Sequence, residues 1–327
     1  MSARGLLAGI DVGGSKIAVL VADRDLAICS RATTPISVDE ADGAVDRISS
    51  ALDQALEAGG LAIGDLGAMG IGVPGRVDTD SGTVSLAVNL AWHDLPLGEL
   101  LQHRYRIPVR VENDVRAAAA GLHERRVLGD EADLAYLSVG TGISAGVVLD
   151  GRLHRGARGM AGEIGHVVVD RDGPRCPCGL AGCLEAVASG PAVARRAEAA
   201  VVDGAASSLR GRRPITAVEV YAAAAAGDEL ALGIAEDAGT HLARAVHELV
   251  MAYDVPRVVL GGGVALAGRT FLDPILRGLD RLRAESELAR DVLPPDVVQI
   301  LPDGSDAGAW GAVVLARGGL GREVAHP

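Results

Sequence analysis

The sequence predicts an α/β protein of two domains, and three observations carry that prediction. Short apolar runs rich in β-branched residues alternate with stretches of helical periodicity along the chain. A strand, glycine turn, strand pattern at the start recurs near the middle, where LAYLSV, Gly140-Thr141-Gly142 and ISAGVVLDG echo the opening hairpin. At 327 residues the chain is too long for one simple core and long enough for two of ordinary size. A glycine and hydroxyl turn between two strands at the start of each half implies related domains facing a shared cleft. The competing reading is coincidence in a chain with 44 glycines.

Taken in order, Leu6 to Val12 reads as a strand, Gly13-Gly14-Ser15 as a turn and Lys16 to Ala22 as a second strand. The glycines expose backbone N–H groups to phosphate oxygens, and Ser15 adds a hydroxyl donor. Gly9 to Lys16 comes close to a P-loop, but the order is Gly-Ser-Lys and no helix pattern follows. Asp11 would repel phosphate unless magnesium or its water shell lies between them. A plain hairpin turn is the alternative. Ala41 to Ala58 carries helical periodicity and ends at Gly59-Gly60. Leu66 to Val73 is a strand leading to Pro74-Gly75-Arg76, a turn that either faces a ligand or is simple punctuation.

Val109 to Val111 is a further strand, and Glu112-Asn113-Asp114 stands where it enters an alanine-rich helix from Val115 to Leu122. Ligands of parallel α/β sheets bind beyond the carboxyl ends of strands, so an Asn-Asp pair there suits hydroxyl recognition and proton abstraction. Helix capping is the bland reading of the same pair. Further on, Pro191 to Val202, Val218 to Ala226 and Leu230 to Tyr253 read as helices, and Asp203 to Pro214 as a surface loop or lid. Val258 to Leu260 is a buried strand feeding Gly261-Gly262-Gly263, and Ala307 to Ala316 is a closing helix.

The most distinctive stretch runs from Gly162 to Glu185. His166, Cys176, Cys178 and Cys183 supply one imidazole and three thiolates, the closed ligand set of a structural zinc site. Gly179 and Gly182 permit the turns that bring the cysteines back to one ion. Two disulfides or ordinary buried thiols are the alternative. Glu163 and Glu185 bracket these ligands, either held by the loop to contact something else or simply solvated.

Composition narrows the function classes. Hydrophobic residues make up 49% but aromatics 2%, so the core is built from Ala, Val, Leu and Ile. A net charge of −12 argues against a nucleic-acid surface. No apolar run approaches a membrane span, and no signal-type segment opens the chain. The expectation is a soluble, cytoplasmic protein with no membrane or nucleic-acid partner, in a reducing compartment that suits thiolate ligands.

With these stretches aligned, IDVGGSK, GVPGR, NLAWHDLPL, VENDV, SVGTGISAG, GEIGH, CPCGLAGCLE and VVLGGGV stand in the order seen in the ROK family. The chain resembles that family over nearly its whole length. The resemblance implies a two-domain actin-like ATPase (ribonuclease H-like) fold with a ligand cleft between the domains, residues 1–117 plus 306–327 forming the smaller and 118–305 the larger. It implies an ATP-dependent kinase acting on the 6-hydroxyl of glucose or a related amino or N-acetylamino sugar, with Asp114 as general base. Gly75, Asn89, Asn113, Glu163, His166 and Glu185 match sugar contacts. Asp11, Gly13, Gly14, Ser15, Lys16, Thr141, Gly142, Gly262 and Gly263 match the nucleotide and magnesium side, with Asp11 orienting Mg2+. His166, Cys176, Cys178 and Cys183 match structural zinc ligands. A homodimer or homotetramer is the implied assembly.

Two departures stand out. Ser15 replaces the usual threonine, and Arg116 follows VENDV where asparagine is typical, either tuning the sugar site or facing solvent. The competing functions are a sugar-sensing regulator, disfavoured by the acidic charge and by a phosphate loop that begins at Asp11, and a sugar-binding protein without kinase activity. Polyphosphate is the alternative donor.

Overall fold

The computed structural model describes residues 5–35 and 43–318. The chain divides into two compact units, one holding the described residues up to Asp133 together with Gly146–Ala161 and those from Asp306 onward, the other Leu134–Ala145 and Gly162–Ser305. The division expected after residue 117 falls inside a helix that the first unit contains whole. Among the described residues no helix is long and apolar enough to cross a membrane.

The first unit opens with β1 (Leu6–Val12), β2 (Lys16–Ala22) and β3 (Ile28–Pro35), followed by α1 (Ala44–Ala58). The first residues of the expected helix, Ala41 and Asp42, lie outside the described residues. Next come β4 (Leu66–Val73), a small antiparallel sheet of β5 (Arg76–Asp78), β6 (Thr83–Ala87) and β7 (Trp92–Leu95), then α2 (Leu97–Tyr105), β8 (Val109–Asn113) and α3 (Asp114–Glu124). The main sheet runs β3-β2-β1-β4-β8, with β1, β4 and β8 parallel. The strand end at Asn113 is therefore the carboxyl end of a parallel edge.

The second unit carries β9 (Leu134–Val139) and the start of β10 (Ile143–Leu149), which crosses into the first unit after Ala145 and is followed there by β11 (Arg152–Leu153). Then follow α4 (Leu184–Ala188), α5 (Gly190–Val202), α6 (Ala217–Ala225), α7 (Glu229–Tyr253), β12 (Val258–Gly261), α8 (Arg269–Glu285), α9 (Glu287–Val292) and β13 (Val298–Ile300). This sheet runs β11-β10-β9-β12-β13, so strand for strand it repeats the order of the first. The echo seen in the sequence is thus an echo of topology.

α10 (Ala307–Arg317) returns to the first unit. Strand alternation explains how β1 serves two layers. Ala8, Ile10 and Val12 pack with Ile48, Leu52 and Ala55 of α1, while Leu7 joins Ala309, Trp310 and Val313 of α10. On that second face a β-carbon at Gly9 would lie 2.4 Å from the Ala309 carbonyl, and one at Gly70 2.0 Å from that of Ala312. Helix and sheet meet there backbone to backbone.

The segment Asp203 to Pro214, expected to be a surface loop or lid, is mostly exposed and is pinned to the body of its unit. Leu209 is fully buried, and Asp228 Oδ2 accepts hydrogen bonds from Ser207 Oγ, Ser208 N and Ser208 Oγ at 2.9, 2.6 and 2.9 Å. Its Oδ1 caps α7 by accepting from Ala231 N. Burial alone would raise the Asp228 carboxyl, but these bonds outweigh it and hold it at about 2.

Candidate active site

In the first unit, Asp11 leaves β1 beside Asp114, the first residue of α3. A β-carbon at Gly72 of β4 would meet Asp114 Cα at 3.3 Å and Asp11 Oδ1 at 3.6 Å, so both acidic residues lie close beside that strand. Burial, then the charges of Asp114 and Asp306 against the opposing pull of Lys16, push the Asp11 carboxyl up to about 7. Gly13, Gly14 and Ser15 form the turn between β1 and β2, Gly14 and Ser15 exposed, and Gly13 N donates to Lys16 O at 2.9 Å.

Asn113 is buried and does cap α3: its Oδ1 accepts from Val115 N and Arg116 N, both at 3.1 Å. Capping uses only the side-chain oxygen and leaves its amide nitrogen to donate to Gly75 O at 3.2 Å. Gly75, at φ +92°, approaches β6 so closely that a β-carbon would stand 2.1 Å from the Leu86 carbonyl. Asn89 sits exposed on the short turn Val88–Leu90 after β6.

Arg116 does not face solvent. It and Glu112 are each 1% exposed, with Arg116 Nε donating to Glu112 Oε1 at 2.9 Å. Nothing in the sequence pattern announces this pairing except the spacing of four residues, which is easily missed when one partner lies in a strand.

In the second unit, Gly140-Thr141-Gly142 links β9 to β10, and Gly140 O accepts from Gly190 N at the start of α5. Ile143 N donates to Glu185 Oε2 at 3.0 Å, which brings Glu185 against this loop. Gly162 and Gly165 flank Glu163 and lie flat on β10: β-carbons there would stand 1.8 Å from Ala145 O and 2.0 Å from Ile143 O. Both glycines of GEIGH are thus steric requirements, and they set where Glu163 and His166 leave the backbone.

The donor atoms of His166, Cys176, Cys178 and Cys183 all lie within 4.8 Å of one another, and the cysteines form no disulfide. His166 Nδ1 is 3.7 Å from Cys176 Sγ, and Cys178 Sγ is 3.6 Å from Cys183 Sγ. Bonds of about 2.3 Å to sulfur and about 2.0 Å to nitrogen place tetrahedral ligands roughly 3.5–3.8 Å apart, so this group has the spacing and chemistry to hold a metal ion. The Cys183 thiol is pushed up to about 12, by burial first and then by the neighbouring Cys178 and Cys176.

A cavity of about 770 Å³ lies in the second unit, lined by Gly140, Thr141, Gly190, Pro191, the α6 face of Val218, Tyr221, Ala222 and Ala225, and by Gly263, Val264, Leu266, Ala267 and Thr270. Gly262, at φ +87°, lets β12 turn into this wall, since a β-carbon there would sit 2.4 Å from Val139 O. Sequence reasoning finds Gly140, Thr141 and Gly263 of this cavity but not Gly190 or its helical walls. The signal was present in α6, where Val218, Tyr221, Ala222 and Ala225 recur at helical spacing on one face. Asp306 and Gly308 beside Asp11 were also missed.

The family model for ROK matches residues 7–318. The glucokinase of Halalkalibacterium halodurans is 34% identical over 82% of this chain and 83% of its own length. The xylose repressor of Caldicellulosiruptor bescii is 36% identical over 63% of this chain and 53% of its own. A crystal structure of a ROK family glucokinase from Streptomyces griseus in complex with glucose and AMPPNP superposes with a TM-score of 0.82 at 34% identity, covering 96% of this chain and all of that one. The fold is the actin-like ATPase fold. This protein belongs to the ROK family.

Proposed function

We propose that this chain is an ATP-dependent hexose kinase that phosphorylates the 6-hydroxyl of glucose or of a related amino or N-acetylamino sugar. The observation that carries the reading is Asp114 at the carboxyl end of a parallel strand, interacting with a half-buried Asp11 and following an Asn113 anchored to Gly75. Asp114 is the general base, taking the proton of the attacking hydroxyl as the phosphoryl group transfers; most of the barrier reduction then comes from positioning and charge stabilisation. Gly75, Asn89, Asn113, Glu163, His166 and Glu185 hold the sugar hydroxyls.

Gly13, Gly14, Ser15, Lys16, Thr141 and Gly142 cradle the phosphates. The apolar cavity beside Gly262 and Gly263 receives the nucleoside, its size lying within the usual range for such ligands. Mg2+ is a hard cation that takes carboxylate oxygens or water, and Asp11 orients it. It supplies charge neutralisation at the phosphates. His166, Cys176, Cys178 and Cys183 would hold a structural Zn2+, which would shape the loop between Glu163 and Glu185 and supply no step of the chemistry.

The test is ADP release with ATP and magnesium across a panel of hexoses, with polyphosphate as competing donor. Sugar-dependent turnover that Asp114→Asn abolishes supports the reading and names the sugar. A zinc-replete sample that turns over no hexose removes it and leaves sugar binding without chemistry. A sugar-sensing regulator would instead bind a specific DNA site, which the net charge of −12 disfavours. A cytoplasmic homodimer or homotetramer is the expected form, checked by light scattering.

A further inference from the structure

Beneath Asn113 and Asp114 lies a buried ionic network whose members belong entirely to the first unit. One carboxylate, that of Glu112, is its hub. Its Oε1 accepts from Asn113 N and from Arg116 Nε, both at 2.9 Å, and its Oε2 accepts from Arg155 Nε at 2.6 Å. Arg116 reaches further, its Nη1 donating to the Gly159 carbonyl at 2.8 Å, while its Nη2 is buried and makes no hydrogen bond to the described residues. The side chain has few other directions open. β10 presses on α3 at this point, a β-carbon at Gly146 lying 2.7 Å from Val115 O and 3.1 Å from Arg116 Cα.

Stability does not explain such a network. A buried ion pair seldom outdoes well-packed apolar residues of the same volume, because desolvation offsets the attraction. An unpartnered buried N–H adds a further cost. What the network does supply is geometry: a planar guanidinium with several fixed donors ties two backbone segments that no helix or sheet bond joins. One is the Asn113 peptide, immediately before the proposed base. The other is the strap Arg155–Ala161, which runs directly into Gly162 and Glu163 in the chain.

We propose that Arg116 is a positioning residue for the sugar site, fixing the Asn113 peptide through Glu112 and the Arg155–Ala161 strap through Gly159. It touches no reacting atom. Because it acts on hydroxyl-binding residues, its loss weakens sugar recognition and leaves nucleotide recognition alone. The inference rests on the assignment of Asn113 and Glu163 to the sugar.

The test compares wild type, Arg116→Lys and the double variant Glu112→Gln/Arg116→Gln. The double variant removes both buried charges while the Gln carbonyl still accepts from Asn113 N, and half-exposed Arg155 can turn to water. Lysine keeps the charge but cannot bridge Glu112 and Gly159 as a fork. The expected result for the double variant is a melting temperature close to wild type, a KM for sugar raised about tenfold or more and a KM for ATP within about twofold. Arg116→Lys falls between, and it carries the test if the double variant does not fold. Unchanged sugar KM, or sugar and ATP KM rising together, overturns the proposal.

Amide hydrogen exchange gives a readout independent of turnover. The peptides covering Asn113 and residues 155–161 are expected to exchange about tenfold faster in the double variant than in wild type, with α1 unchanged. Equal exchange overturns the proposal. If wild type itself phosphorylates no sugar, the kinase reading fails separately and the exchange arm decides this one.

Discussion

A β-carbon on Gly308 would stand 2.3 Å from Oδ2 of Asp11, so the first turn of α10 and the carboxylate of β1 approach with room for nothing larger than hydrogen. Gly308→Ala must therefore displace either the helix or the acid. The expected cost is about 1–3 kcal/mol from overpacking, together with a loss of turnover as Asp11 moves. Urea unfolding and ADP release check the two parts, and a variant that keeps both would show the approach to be looser than described.

Asp114→Asn separates base chemistry from fold. The carboxylate Oδ1 accepts from Val115 N at 2.9 Å, a bond that the Asn carbonyl can keep. The melting curve should overlay wild type while kcat falls about a hundredfold to ten-thousandfold, the usual contribution of a positioned base. Retained turnover would assign proton removal elsewhere.

Metal analysis should find one zinc for each chain. Cys183→Ser, which removes a fully buried member of the cluster, is expected to lose it, whereas Cys29→Ser, at an exposed position outside the cluster, is expected to keep it. Chelation should lower the melting temperature and raise the KM for sugar, because the loop between Glu163 and Glu185 loses its staple. Wild type that binds no zinc would contradict the site.

Ala222→Trp fills the α6 wall of the cavity. The KM for ATP should rise about tenfold or more while the KM for sugar stays put. The reverse pattern would place the sugar, not the nucleoside, in that cavity.

Asp228 gives a pH-dependent prediction. Its carboxyl is held at about 2 against an ordinary value of 3.8, so the stability it contributes is present above 3.8 and lost as pH falls through 2. Asp228→Asn should melt below wild type at neutral pH, with the gap closing in that acid window. A gap independent of pH would mean that the carboxylate is not what pins the 203–214 segment.

Much of this was legible beforehand because local chemistry dictated it. β4 runs from Leu66 to Val73 as its apolar pattern required, and the glycine turns after β1 and β9 sit where the hydroxyl residues placed them. The cluster of His166 with three cysteines needed only donor counting. What escaped notice depends on residues far apart in sequence. Asp306 and Gly308 meet Asp11 across nearly the whole chain, and no periodicity encodes that encounter. For Arg116 the sequence leaves two readings open, tuning the sugar site or facing solvent; its burial follows from Glu112 in the preceding strand and Arg155 just after β11. Composition reads the 203–214 stretch as a surface loop or lid and cannot reveal that Asp228 gathers both serines.

The return of α10 also sets an order of assembly. Gly9, Gly70 and Gly121 present bare backbone to it, Gly121 lying so close that a β-carbon would stand 2.5 Å from Gly311 N. Leu7, Leu20 and Ala22 have Trp310 and Val313 as cover. As the polypeptide emerges from the ribosome, β1 and β4 appear early, yet their second face stays wet until the residues after Asp306 arrive. The half of the protein made first is thus the half completed last, and a nascent chain stalled before α10 carries an unsealed apolar sheet that is open to mispairing and to chaperones.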